Sequence, residues 1–216
     1  MIATLTLMAA AAQIQAAETT TFAHKFVKDE KTVYTIDLSG SDEGSDMKVF
    51  SEFELTTKET TKEGTTPCTV VVKSATANFG GQEAPMTDVG ELSFSLDKHG
   101  VPTELLMEGF EGIYYVVFVT QYLPNKPLKQ GETFKADLKI GVATYKADGT
   151  FTGTEELEGK KYSVITSKGE LAPEGDEPGT IETKSYFDAA TGKVVRTEAV
   201  IGTPGGDFKL VLKVKK

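Results

Sequence analysis

Glu91-Leu92-Ser93-Phe94-Ser95-Leu96 alternates without a break. Leu92, Phe94 and Leu96 fall on one side, and Glu91, Ser93 and Ser95 on the other. A period of two is the mark of a half-buried strand with one wet face. The same pattern closes the chain at Phe208–Lys215, where Leu210, Leu212 and Val214 oppose Lys209, Val211, Lys213 and Lys215. Strands of this kind belong to antiparallel sheets that pack one face and solvate the other. Further stretches rich in Thr, Val, Phe and Tyr, punctuated by glycines or acidic clusters, read the same way. They are Thr19–Lys28, Thr32–Leu38, Lys48–Thr57, Pro67–Phe79, Thr133–Ile140, Thr150–Leu157, Lys161–Leu171, Thr180–Phe187 and Lys193–Ile201. Lys98-His99-Gly100 reads as a turn from which Val101–Met107 returns, and Glu158-Gly159 and Thr191-Gly192 as hairpin turns. Ser39–Asp46 and Leu171–Gly179 read as polar loops.

Gly112–Tyr122 (GIYYVVFVTQY) carries two signals. Its β-branched and aromatic content favours a strand. Phe110, Ile113, Tyr114, Val117 and Gln121 fall at helical spacing, and Pro124 and Pro127 stop the run. The helix is preferred. The expectation is therefore a mostly β fold, a strongly curved antiparallel sheet or half-barrel, with one or two short helices.

Composition narrows the function classes. The 216 residues carry 23 Lys and Arg against 32 Asp and Glu, a formal charge of −9. An acidic chain repels phosphate backbones, so nucleic acid is not an expected partner. One cysteine excludes an internal disulfide and any multi-cysteine metal site. Cys68 lies in a strand-like run and is expected to be a buried thiol. The two histidines, His24 and His99, leave little material for acid–base chemistry.

Residues 1–17 (MIATLTLMAAAAQIQAA) hold no charge, are apolar over most of their length and end in Ala16-Ala17. The run is short for a transmembrane helix. It reads as a secretory signal peptide that lacks the usual basic start, the other reading being an Ala-rich helix. The expectation is an exported protein, periplasmic or extracellular, soluble after signal removal, with no transmembrane segment. Residues 18–216 then form a single β-rich domain.

Within that domain two halves, 18–107 and 123–216, share an order of features. Tyr34–Leu38 resembles Phe134–Leu138, Ser93-Phe94 resembles Ser185-Tyr186, and Gly100 corresponds to Gly192. Two duplicated meanders would explain this, and so would the common grammar of any β-meander.

Three stretches carry a family resemblance. Leu123–Phe134 (LPNKPLKQGETF) is similar to a PxKPVKxGDxW signature, with Phe134 where the signature often has Trp. Gly153–Tyr162 (GTEELEGKKY) resembles a GxExVxGKKY hairpin, and Tyr186–Arg196 (YFDAATGKVVR) an xFDxxTGxxxR turn. Such motifs resemble those of bacterial exported domains of unknown function related to the LolA/LppX-type lipoprotein-carrier half-barrels. The resemblance implies a curved antiparallel sheet around an apolar concavity, with a helix plugging or flanking its opening. Carriers of this type hold lipids or acyl chains there. The motifs are structural turns, so the resemblance transfers no catalytic residue. This chain also has no cysteine for lipid attachment just after its leader.

Catalytic constellations are sparse. The sequence has no phosphate-binding Gly-rich loop followed by Lys-Ser/Thr, and no Gly-x-Ser-x-Gly elbow. Asp37, Asp42, Glu43 and Asp46 do not have EF-hand spacing. Lys209, Lys213, Lys215 and Lys216 read as a charged solvent face rather than a lipid-binding surface. No enzyme activity, cofactor or metal is expected. The candidate ligand-binding residues are the apolar faces: Val70, Val72, Leu92, Phe94, Leu96, Phe134, Tyr145, Phe151, Tyr186, Leu210 and Leu212, with Leu138, Val164 and Val195 alongside. They either pack on one another in a filled core or line an open cavity. The leading expectation is a non-enzymatic protein of the cell envelope that binds or carries a lipid or other apolar small molecule. The alternative is an envelope structural or protein-interaction domain with a filled core.

Overall fold

The computed structural model describes residues 19–42, 44–86, 91–103, 113–172 and 177–215. The strands are β1 (Lys31–Asp42), β2 (Ser45–Thr57), β3 (Thr66–Phe79), β4 (Gln82–Pro85), β5 (Glu91–Leu96), β6 (Thr133–Ile140), β7 (Ala143–Leu157), β8 (Lys160–Ala172), β9 (Gly179–Phe187), β10 (Val194–Thr203) and β11 (Gly206–Val214). One helix, α1 (Ile113–Gln121), lies between β5 and β6. All strands join one antiparallel sheet in the order β4-β3-β2-β1-β11-β10-β9-β8-β7-β6. β4 and β5 share one edge of β3, β4 against Thr76–Phe79 and β5 against Thr66–Val71. The first and last strands meet at the centre, Ile36 opposite Leu212 and Leu38 opposite Leu210. Bulges between Glu52 and Phe53, Phe151 and Gly153, and Val194 and Arg196 add local bend. The result is an open, strongly curved sheet whose concave side is the core.

The register shows why these residues form these strands. On β11 the buried pattern falls on Leu210 and Leu212, while Lys209 and Lys213 are exposed. On β7 it runs Ala143, Tyr145, Ala147, Gly149 and Phe151. β7 therefore begins well before Thr150, the expected start, because alanine and glycine mark an inward face as faithfully as larger residues but with a weaker apolar signal. The β7–β8 turn places Glu158 at φ 53° and Gly159 at φ 78°. Two consecutive left-handed residues match the right-handed twist of the flanking strands.

Three readings need correction. Ser39–Asp46 is not a loop: Ser39, Gly40 and Ser41 pair with Lys48, Met47 and Asp46, carrying the β1–β2 hairpin out to its tip. Polar residues were enough there because that end of the ribbon is largely solvated. β4 was missed because its four residues are all exposed and carry no alternation. Thr19–Lys28 is not a strand of the sheet. It is an extended strap that makes an isolated bridge from Thr20 to Leu128 and donates from His24 N to Lys98 O and from Lys25 N to Thr191 O. The strap thus ties together turns from both halves of the chain. Of the expected return strand Val101–Met107, only Val101–Thr103 is described, with a single bridge from Pro102 to Leu96. Residues 1–17 and Glu43 of the acidic loop lie outside the described residues. The helical reading of Gly112–Tyr122 agrees with α1. Five strands precede α1 and six follow it among the described residues.

Candidate functional site: the filled concave face

Nine of the candidate residues share one apolar cluster: Val70, Leu92, Phe94, Leu96, Phe134, Tyr145, Phe151, Leu210 and Leu212. Val72 and Leu138 are half-buried at its margin. Tyr186 is a correction. It lies on the convex face, where its hydroxyl donates to Glu155 Oε2 at 3.3 Å and Lys184 Nζ stands 5.3 Å from its ring centre. Ser185-Tyr186-Phe187 offers two aromatics in succession, and only one can point inward. Phe187, 1% exposed, takes the interior place. Val164, paired with Tyr186 across β8–β9, follows it to the convex side.

Part of the core outside the candidate set comes from the segments that close the concavity. Val117, Phe118 and Val119 of α1, then Leu123 and Leu128 beyond it, are all buried, as is Phe22 of the strap. Phe118 packs edge-on to Phe94 at 4.9 Å, and Phe22 edge-on to Phe151 at 5.1 Å. Edge-to-face pairs at this spacing are favoured by the ring quadrupoles. Leu123 and Leu128 flank prolines and fit no periodic pattern, so nothing in the sequence marked them. Phe22 lies in Thr19–Lys28, which the sequence marks only as an extended run.

Two small cavities lie along this face among the described residues. One cavity of about 10 Å³ lies between the last turn of α1 and the inner faces of the facing strands, among Thr120, Tyr145, Ser167, Thr183 and Ser185. Another of about 30 Å³ lies beside His24, Tyr34 and Gln121. The first has room for about one water molecule.

Beneath α1 the sheet is not uniformly apolar. Tyr145 Oη and Ser167 Oγ are 2.9 Å apart, and Ser167 Oγ and Thr183 Oγ1 2.7 Å. Ser185 Oγ lies 2.8 Å from Thr197 Oγ1 and donates to the Thr120 carbonyl at 3.3 Å. These inward hydroxyls satisfy one another in a strip across β7–β10 and give α1 one polar anchor. Two more hold its C-terminal end: His24 Nε2 donates to the Gln121 carbonyl at 2.9 Å, and Leu123 N donates to the His99 carbonyl at 2.8 Å. Gly100, at φ 81°, sits so close that an added Cβ would stand 2.6 Å from the Gln121 carbonyl and 2.8 Å from His24 Nε2.

Burial controls the titration of this region. Desolvation lowers His24 to about 4, against smaller upward pushes from its bond to Gln121 and from Asp97, and a downward one from His99. His99 is lowered too, first by burial. Burial pushes the Cys68 thiol up to about 12 and raises Tyr34, Tyr122 and Tyr145 above the ordinary phenol range. Among the described residues no hydrogen bond joins either imidazole to a serine or a carboxylate side chain. No group of three or more His, Cys, Asp and Glu side chains among them is placed to hold a metal ion.

No family model matches this sequence, and no curated protein is similar to it. Among solved structures, one of a DUF1329 family protein from Desulfovibrio piger overlaps 87% of this chain and 86% of its own. The identity is 11% and the TM-score 0.24. That overlap is too slight to define the fold, which rests on the strand pairing above. No helix among the described residues is long and apolar enough to cross a membrane.

Proposed function

We propose that the protein is a non-catalytic binding protein of the cell envelope that takes up an elongated apolar molecule, such as a lipid acyl chain, on the concave face of its sheet. The observation that carries the reading is α1. Its sequence, IYYVVFVTQ, has no charged residue and no amphipathic face, with neither an acidic first turn nor a basic last turn. It belongs to no strand ladder. Such a segment supplies apolar volume to a concavity that would otherwise be open.

An acyl chain supplies the same volume. Burying Val117, Phe118 and Val119 is worth roughly 1.5–3 kcal/mol each, and each buried methylene roughly 0.8 kcal/mol. About six to eleven methylenes therefore match what these three side chains contribute, so an acyl chain of ordinary length could replace them at little net cost. The export expected from residues 1–17 belongs to the same proposal.

A second reading is supported by the closure itself. The cavities described on the concave face, about 10 and 30 Å³, fit a filled interaction domain equally well. Native mass spectrometry of the chain recovered from a bacterial periplasm without detergent separates the two. The carrier reading expects a reproducible added mass, released by organic solvent and identified as lipid. A clean apo mass, unchanged after incubation with envelope lipid extract, overturns it in favour of the interaction domain.

A further inference from the structure

The open sheet has two edges, and they are built differently. At one, β4 has four residues and ends in Pro85, and β5 continues along the same side of β3. A short strand closed by proline is a poor template for another chain. The β6 edge carries neither device. Thr133–Ile140 pairs with β7 along its whole length, with no bulge and no proline. No other described segment pairs with its outer side. Phe134, Ala136 and Ile140 are buried and Leu138 is half-buried, while Thr133, Lys135, Asp137 and Lys139 are exposed.

The β6–β7 ladder fixes which backbone groups are free. Phe151 N donates to the Glu132 carbonyl at 3.0 Å, and Ile140 faces Ala143 across the turn that closes the hairpin. In an antiparallel ladder, alternate residues exchange bonds with the neighbouring strand and those between them point away. Phe134, Ala136 and Leu138, in step with Glu132 and Ile140, are therefore the residues bonded to β7. The N–H and C=O groups of Thr133, Lys135, Asp137 and Lys139 form an outward row that a further strand can fill.

The side chains select that strand. A net charge of −9 opposes self-association in general, yet this edge sets two lysines against one aspartate. Lys135 Nζ lies 3.0 Å from Asp148, but the two side chains are 86% and 74% exposed, so the pair is weak and readily shared. Asp137 and Lys139 make no ion pair among the described residues. Laid antiparallel against a second β6 about a two-fold axis at Ala136, Lys135 faces Asp137 of the second copy, and Asp137 faces its Lys135. Phe134 then meets Leu138, and Thr133 meets Lys139. Every outward backbone group finds its complement in this register. An axis at Lys135 or at Asp137 also matches the backbone, but sets like charges face to face, which is unfavourable. Ala136, on the axis, is small enough to meet itself.

We propose that the protein self-associates through β6, two copies joining their sheets into one by antiparallel pairing centred on Ala136. The interface is isologous, so each contact occurs twice. It does not depend on what the concave face holds.

Sedimentation velocity of the full chain should show a reversible monomer–dimer equilibrium. In hydrogen exchange read by NMR, the amides of Lys135, Asp137 and Lys139 should be protected at high concentration and exchange freely on dilution. Those of Phe134, Ala136 and Leu138 should stay protected at both. K135E sets a carboxylate against Asp137 on both sides of the axis and should weaken the dimer by about tenfold or more. K135D/D137K, which exchanges the two charges, should restore it. K135P removes an N–H that β7 does not use, so it should keep the far-UV circular dichroism of the wild type and abolish the dimer. Four results would overturn the proposal: a chain that stays monomeric at millimolar concentration; a dimer that K135E leaves unchanged; no recovery in K135D/D137K; or amide protection at Lys135 and Asp137 that does not respond to dilution.

Discussion

Replacing His24 with glutamine should flatten the acid limb of the stability curve. The imidazole is enclosed by Gly100, Gln121 and Phe26, and its folded-state pKa is lowered from 6.5 to about 4. A lowered histidine pKa means that the folded chain binds the proton less readily than the unfolded one. Stability then rises with pH between the two values. The contribution of neutral His24 is complete above about pH 6.5 and is lost as the pH falls towards 4. At about 1.36 kcal/mol per unit, a drop from pH 7.5 to 4.5 should remove roughly 3 kcal/mol through this group alone. Glutamine retains an N–H to donate to the Gln121 carbonyl but takes up no proton. Urea unfolding followed by circular dichroism at the two pH values, for wild type and H24Q, gives the difference directly. H24Q should lose about 3 kcal/mol less than the wild type over this interval. His99, lowered in the same direction, stays in both proteins and cancels. Glu54 and Glu155, whose carboxyls are held below the usual range by Lys31 and Lys184, act at lower pH and cancel as well. Parallel losses in the two proteins would refute the claim that the strap buries a neutral imidazole.

Three further outcomes follow from particular contacts. Phe118→Ala removes a 4% exposed ring packed on Phe94 and should cost about 3–5 kcal/mol in urea unfolding. Gly100→Ala forces a Cβ against the Gln121 carbonyl at a left-handed φ. It should destabilise by about 1–3 kcal/mol and raise the His24 pKa, which an NMR titration of the imidazole reads. Cys68, 2% exposed with its thiol pushed up to about 12, should be inert to Ellman's reagent at pH 8 until the protein is unfolded, when one equivalent should react.

What the sequence disclosed and what it hid follow from one cause. Period-two alternation is read by contrast, so it revealed strands in which large apolar residues face polar ones. Leu92, Phe94, Leu96, Leu210 and Leu212 were assigned to the correct face for that reason. Where the inward residues are small or hydroxylated the contrast fades. The first half of β7 is hidden among Ala143, Ala147 and Gly149, and the inward strip of Ser167, Thr183, Ser185 and Thr197 carries no apolar signal. Where two aromatics adjoin, as at Tyr186 and Phe187, alternation cannot choose between them, and the choice fell on the wrong one.

The seam between β1 and β11 bears on how the molecule assembles. Tyr34 faces Val214, the first strand closing on the last. Hairpins such as β7–β8 and β2–β3 form from neighbouring residues and can appear early. The seam requires nearly the whole chain to be looped, and the entropic cost of that loop is met before any contact rewards it. Contacts such as Ile36 with Leu212 should therefore be absent from the folding transition state. Mutations there should quicken unfolding and leave the folding rate almost unaltered. Before the seam forms, the hairpins would hold their own ladders but not the closed sheet, and the molecule would acquire its native lifetime only once β11 has docked on β1.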